Sequence, residues 1–280
     1  MEPTLHPRNA AFEWRAPATA PRRLSAAQCA QYDEQGFVVL EDVFTASRMD
    51  EIAAAIDPIE ARVEQFLKLQ PGGKLFIARA DEITFSTHLV LQSPVFRSFI
   101  QEPAFAEIAS DLIGPDVRLY WDQAVYKKPG TEAPFPWHQD NGYTYVEPQQ
   151  YLTCWVALTD ADTENGCPWV LPGLHRHGTL AHGATDLGFV CTDEPGIEPV
   201  PAPVRKGGIV VLSSLTPHST GANRTQSTRK AYIVQFAPEG ALAYPRSADG
   251  TEDPKQAGVA ANAPDRQFPI LSAGNACEAV

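Results

Sequence analysis

The apolar residues change period at the Gly114-Pro115 pair, and few architectures accommodate that change. Before it the spacing is helical. Ser25 followed by Gln28 forms a capping-box pattern ahead of a helix over 26–33. Gly36 stops that helix, and residues 37–40 read as a short strand. Met49, Ile52, Ala53, Ile56, Val63, Phe66 and Leu67 then recur on one helical face. Pro58 is expected to kink that helix or to start a second segment. A further helix or helix pair spans 95–113. After Pro115 the pattern alternates through Val117, Leu119 and Trp121. Short apolar runs follow at 151–158, 169–171, 209–212 and 232–236, separated by Gly, Pro, Asn and Asp. Helices first and many short strands afterwards favour one β-roll with helices packed on its outside, and disfavour a βαβ sheet.

Charge and cysteine usage narrow the function classes. The chain has 22 Lys and Arg against 34 Asp and Glu, a net charge of −12. Such a chain is a poor candidate for nonspecific binding to nucleic acid or to anionic membranes. Its longest apolar run is far too short to span a bilayer, and the N-terminus has no apolar signal region. Five cysteines without CxxC spacing form neither a disulfide framework nor a zinc ribbon. A reduced, cytoplasmic setting is therefore expected, with a small-molecule substrate as the partner and a monomer or homodimer as the assembly. Neither common nucleotide-phosphate fingerprint occurs. The prolines cluster in residues 1–21, 129–148, 195–203 and 244–269. The two middle clusters read as long loops, of the kind that often carry function, and 248–280 reads as coil. Residues 1–280 are expected to form one domain, with a core at about 30–240 and an extension at each end.

The chemistry concentrates at Pro136-Trp137-His138-Gln139-Asp140. On a strand, residues i and i+2 share a face, so His138 and Asp140 would point one way and Gln139 the other. An imidazole and a carboxylate together supply two ligands of a two-His-one-carboxylate site, the set used for non-haem Fe(II). The third ligand must come from His175, His177, His182 or His218. His218 stands just beyond the apolar strand at 209–212, a rigid mount. His175 and His177 follow the Pro172-Gly173 turn and suit a surface loop near the mouth. Arg229, eleven residues beyond His218, opens the strand at 232–236. There it would be placed to clamp a carboxylate with two parallel hydrogen bonds.

Together, His138-Gln139-Asp140, Trp155, Glu164-Asn165-Gly166-Cys167, Pro172-Gly173-Leu174-His175, His218-Ser219-Thr220 and Arg229 resemble the phytanoyl-CoA dioxygenase (PhyH) family. That family belongs to the Fe(II)- and 2-oxoglutarate-dependent oxygenases. The resemblance implies a mainly β fold with flanking helices, in which a double-stranded β-helix (jelly-roll, cupin-like) core carries N-terminal helices outside. It implies His138, Asp140 and His218 as the iron ligands and Arg229 as the partner of the distal carboxylate of 2-oxoglutarate. Thr220 would sit near that carboxylate, Trp155 would line the co-substrate pocket, and Gln123 would join it from the preceding strand. The implied reaction consumes O2, releases succinate and CO2, and oxidises an unactivated C–H bond of a small metabolite. Related halogenases have Ala or Gly where Asp140 stands, so the resemblance implies a hydroxylase. Candidate substrate residues are Lys127, Trp137, Asn141, Tyr143, Trp169 and His175, the lysine as a partner for an anion or else a solvated strand end. The ligand set also suits a metal-dependent hydrolase, which would not need Arg229. A non-catalytic β-roll binding protein is the other alternative, and the intact ligand set argues against it.

Overall fold

The computed structural model describes residues 4–17, 20–192, 195–246, 253 and 255–277. Helix α1 (Ala26–Gln35) begins with the full capping box, Ser25 accepting from the Gln28 N–H while Gln28 reaches back. It ends at Gly36, whose φ of 80° is the left-handed cap. Strand β1 (Phe37–Leu40) follows directly. Helix α2 (Ala46–Lys68) is one continuous helix, so Pro58 neither divides it nor starts a second one. Pro58 and Ala54, whose carbonyl loses its helical donor, are both exposed, and solvent can satisfy that carbonyl. After β2 (Ile83–Thr87) come α3 (Pro94–Ile100) and α4 (Pro103–Leu112), a pair, each with proline at its start.

Most of the remaining strands build two facing antiparallel sheets, and a two-stranded and a three-stranded sheet lie apart from them. The major sheet runs β1, β7 (Ile209–Ser213), β5 (Leu152–Ala157), β9 (Arg229–Pro238), β3 (Val117–Lys127) and β2. The minor sheet runs Val200–Pro201, β6 (Pro168–Val170), β8 (His218–Thr220) and β4 (Phe135–His138). This is the jelly-roll core expected from the sequence.

Alternation along β9 shows how the major sheet divides the interior. Tyr232, Val234 and Phe236 face the helices and pack with Met49, Ile52, Phe99 and Phe105. Ala231 and Ile233 face the other way and pack with Trp155, Val170 and Val210 between the sheets. Both faces are covered, which is why β5 and β7 are buried at every position. Burying these side chains stabilises the roll by roughly 1.5–3 kcal/mol for each large aliphatic or aromatic residue. The candidate residues Gln123, Trp155 and Arg229 stand on the inner face.

The C-terminal region departs from the expected coil. Strand β10 (Pro269–Ser272) pairs with β3, and Phe268, Ile270 and Leu271 are buried in the helix-side core. Three apolar residues beside an open strand edge outweigh the weak local signal. Residues 247–252, 254 and 278–280 of that region lie outside the described residues. All five cysteines are free. Among the described residues no helix is long and apolar enough to cross a membrane.

Candidate metal and co-substrate site

His138 and His218 meet because β4 and β8 pair with these two residues directly opposite each other. Their rings lie 4.2 Å apart. Asp140 arrives differently from the sequence expectation: β4 ends at His138, and Asp140 opens a 3-10 turn, Asp140–Gly142. The bend still delivers its carboxylate to the imidazoles. One ligand atom from each of His138, Asp140 and His218 lies within 4.8 Å of the others.

Surrounding groups prepare these atoms. His138 Nδ1 faces the carbonyl of Pro136 at 2.8 Å, and His218 Nδ1 that of Thr216 at 3.0 Å. A carbonyl only accepts, so each Nδ1 carries a proton, which makes Nε2 the nitrogen left for a metal. Burial and the neighbouring His218 push the His138 imidazolium well below its usual range, which keeps the ring neutral. Thr153 on β5 donates from Oγ1 to Asp140 Oδ2 at 2.5 Å and accepts from Gln235 Nε2 at 3.3 Å. Gln139 points away, as alternation predicts, and its side chain is consumed by the Gly178 and Leu215 carbonyls and the Leu180 N–H. The Gln139 N–H donates to His182 Nε2 at 2.9 Å, and Gly142 passes so close to that ring that a Cβ would lie 2.1 Å from it.

Three of the residues expected at the co-substrate share the inner face of the major sheet. Trp155, Ile233 and Gln123 lie side by side on β5, β9 and β3. Arg229 is 1% exposed, and its guanidinium carbon lies 5.1 Å from the Trp155 ring centre. Its Nε, Nη1 and Nη2 have no protein acceptor. Burial draws its pKa down to about 10. A buried guanidinium with all its nitrogens unpaired is costly unless a ligand answers it. A carboxylate has the matching shape and charge. Thr220 is buried on β8, two residues beyond His218. The Asn165-Gly166-Cys167 turn also has a physical reason. Gly166 has φ of 91°, and a Cβ there would sit 2.5 Å from the Gly221 carbonyl.

Of the six sequence-predicted substrate residues, the structure brings Tyr143 to the cluster, its ring 5.3 Å from that of His138. His175 is corrected. It is wholly buried, bonded through Nε2 to the Asp33 carbonyl and set edge-on to Trp14, so it is a packing residue and not a mouth residue. Asn141 is corrected too: fully buried, it bonds Thr179, the Val146 carbonyl and the Val146 N–H. Trp169 opposes Ser219 while Val170 opposes His218, which turns Trp169 out of phase with the cluster. Trp137 neighbours His138 and falls out of phase in the same way. Lys127 is neither a solvated strand end nor a mouth residue, being 1% exposed beside Arg229. Sequence reasoning missed Thr153 and Gln235, whose contacts depend on sheet register. It also missed a run of rings from the surface: Phe76, 61% exposed, lies 5.9 Å from Phe189, which lies 5.3 Å from Tyr143.

A jelly roll with a His-x-Asp and distal His cluster beside a buried inward arginine defines the class of non-haem iron, 2-oxoglutarate-dependent oxygenases. Comparison with known proteins agrees. The family described as phytanoyl-CoA dioxygenase (PhyH) matches residues 32–231, and the chain belongs to that family. Phytanoyl-CoA dioxygenase domain-containing protein 1 of Mus musculus is 29% identical over 261 residues, covering 76% of this chain and 90% of the mouse protein. An ectoine dioxygenase of Bordetella parapertussis is 29% identical over 171 residues, covering 58% of this chain and 53% of that protein. Among solved structures, SnoK, a non-haem alpha-ketoglutarate-dependent carbocyclase from nogalamycin biosynthesis, superposes with a TM-score of 0.69 at 26% identity. That match covers 82% of this chain and 92% of SnoK. The chain is accordingly an iron- and 2-oxoglutarate-dependent dioxygenase.

Proposed function

We propose that His138, Asp140 and His218 hold the iron, that Arg229 binds the distal carboxylate of 2-oxoglutarate beside Trp155 and Thr220, and that the enzyme hydroxylates a C–H bond of a small metabolite with an apolar, ring-sized reacting part. The observation that carries this reading is the pairing of a two-imidazole, one-carboxylate cluster with a buried guanidinium lacking any protein acceptor. A metal-dependent hydrolase needs the cluster but has no use for the arginine. Gln123, in line with Ile233 and Trp155, completes the wall of the same pocket.

When bound, iron and 2-oxoglutarate supply the oxidation of a C–H bond by O2, coupled to release of succinate and CO2. The protein's own contribution is orientation and exclusion. The Pro136 and Thr216 carbonyls hold the Nδ1 protons and aim both Nε2 atoms inward. Thr153 keeps Asp140 in one orientation. Phe135, 4.9 Å from the His138 ring, and Tyr143, 5.3 Å from it, help to shield that ligand from water. The rings of Phe76, Phe189 and Tyr143 lead from the surface toward His138 and favour an apolar or aromatic substrate over a strongly hydrated one. Asp140 occupies the position where a halide would need room, which supports hydroxylation over halogenation. Residues 1–280 act as one domain in this reading.

The test is an anaerobic titration of metal-free protein with Fe(II) and 2-oxoglutarate, following the visible charge-transfer band of the chelate. The band should form in wild type, vanish in His218→Ala and need far more 2-oxoglutarate in Arg229→Ala. A wild-type protein that binds Fe(II) yet never develops the band would overturn the assignment of these residues.

A further inference from the structure

Two cations share the inner face of the roll at one point. Lys127 closes β3 and Arg229 opens β9, and the two are paired directly opposite each other. Residues so paired project to the same side of a sheet. Each is 1% exposed. Among the described residues neither forms an ion pair with a carboxylate, although Glu82 lines the same small recess as Lys127 with Ile83, Thr131 and Phe135. Lys127 Nζ instead donates to the backbone carbonyls of Gly221 and of Thr220, the latter at 3.3 Å. An ammonium has three protons, so one is left after those two bonds. The carbonyls belong to the last residue of β8, the strand that carries His218 and Thr220, and to the residue that follows it. Burial and the nearby guanidinium push the lysine down to about 7. Two buried like charges with no acid between them cost stability until an anion enters.

We infer that Lys127 is a second cationic arm of the co-substrate site, so that its ammonium and the Arg229 guanidinium together hold the distal carboxylate of 2-oxoglutarate. This rests on the reading of Arg229 given above. It replaces the role suggested by sequence alone, in which Lys127 meets the substrate at the mouth. The arrangement selects a dicarboxylate over a monocarboxylate keto acid, because the keto-acid end is held elsewhere and only the distal end meets these cations. The bonds to Thr220 and Gly221 make Lys127 also a pin for the end of β8.

The experiment compares 2-oxoglutarate with 2-oxovalerate, in which a methyl group stands in place of the distal carboxylate. Both are titrated anaerobically into Fe(II)-loaded wild type, Lys127→Met and Lys127→Gln, and the charge-transfer band is followed. Lys127→Gln keeps a donor for the Gly221 carbonyl while removing the charge. Loss of one charge-assisted hydrogen bond should weaken 2-oxoglutarate about ten- to hundredfold. Binding of 2-oxovalerate and of Fe(II) should stay within about threefold. A merely structural lysine predicts the opposite, with both keto acids weakened by the same factor. That result, or 2-oxoglutarate affinity unchanged in either variant, would overturn the inference while leaving the wild-type band intact. Failure of the underlying reading is separate, since it would remove the band from wild type. Should both variants fail to fold, calorimetry of wild type at pH 8 in buffers of different ionisation heat decides. Proton uptake with 2-oxoglutarate but not with 2-oxovalerate supports the second cation, and equal uptake refutes it.

Discussion

Replacing Arg229 with methionine should make the ligand-free protein more stable while making it nearly blind to 2-oxoglutarate. Three guanidinium nitrogens are buried without a protein acceptor. An unsatisfied buried polar group costs about 1–3 kcal/mol, more when charged. Repulsion from Lys127 adds to that cost. The contact with Trp155 at 5.1 Å returns about 0.5–2 kcal/mol, and methionine keeps much of it through its polarisable sulfur. The balance is a gain of about 1–2 kcal/mol. For a chain of this size that corresponds to a rise in Tm of roughly 2–4 °C. On the ligand side, two charge-assisted bonds of at least about 1.5 kcal/mol each are lost, which weakens 2-oxoglutarate by about 150-fold or more. The assay is a thermal melt with and without 2-oxoglutarate, on metal-free and anaerobic Fe(II)-loaded protein. Wild type with Fe(II) and ligand at about 100 times Kd should gain about 2.7 kcal/mol; the variant should gain almost nothing. If Arg229→Met instead melts several degrees below wild type and still responds to 2-oxoglutarate, the arginine is a structural residue and the clamp assignment is wrong.

Two further outcomes follow from the packing. Thr153→Val removes the donor that orients Asp140 and should weaken Fe(II) about tenfold; competition with a chelator measures this, and unchanged affinity would show that the turn alone positions the carboxylate. His175 is drawn down to about 4, chiefly by burial and against the pull of the Asp33 carbonyl. As pH falls below about 6.5, the unfolded chain takes up this proton before the folded one does. The stability linked to His175 is therefore complete above about 6.5 and lost on the way to about 4. Urea unfolding at pH 7 and 4.5 should show wild type losing on the order of 2–3 kcal/mol more than His175→Gln across that interval, and equal losses would place His175 in contact with solvent.

Much of the site was legible because its signals are short-range. The His-x-Asp triplet, the histidine after a buried strand and the arginine opening the next strand are separated by spacings that survive in one dimension. His138 and Asp140 meet because the chain leaves β4 and turns, not because a strand presents both. Nearness in sequence to the triplet is a weaker guide to substrate residues: Tyr143 reaches the cluster, while its sequence neighbours turn to other tasks. Asn141 is one residue from Asp140 yet is wholly occupied in holding the turn. His175 lies just past a turn signal, but Trp14 from the N-terminal segment covers it. Thr153 and Gln235 carry no local mark at all. A threonine on a buried strand reads as packing until register places its hydroxyl against a carboxylate.

By itself the sequence determined the capped first helix, the switch from helical to alternating period, the two-layered β core and the candidacy of His138, Asp140, His218 and Arg229. Those properties arise from interactions within a few residues along the chain, where backbone geometry and hydrophobic period leave little choice. The tertiary structure alone decided which residues share the inner face at one level of the roll. Lys127 becomes a buried neighbour of Arg229, and Ile83 its neighbour on the other side, only when β2, β3 and β9 pair in that register. A slip of one residue would turn every one of those side chains to the opposite face. The charge balance of the pocket is therefore a property of strand pairing between distant segments, which no local pattern encodes.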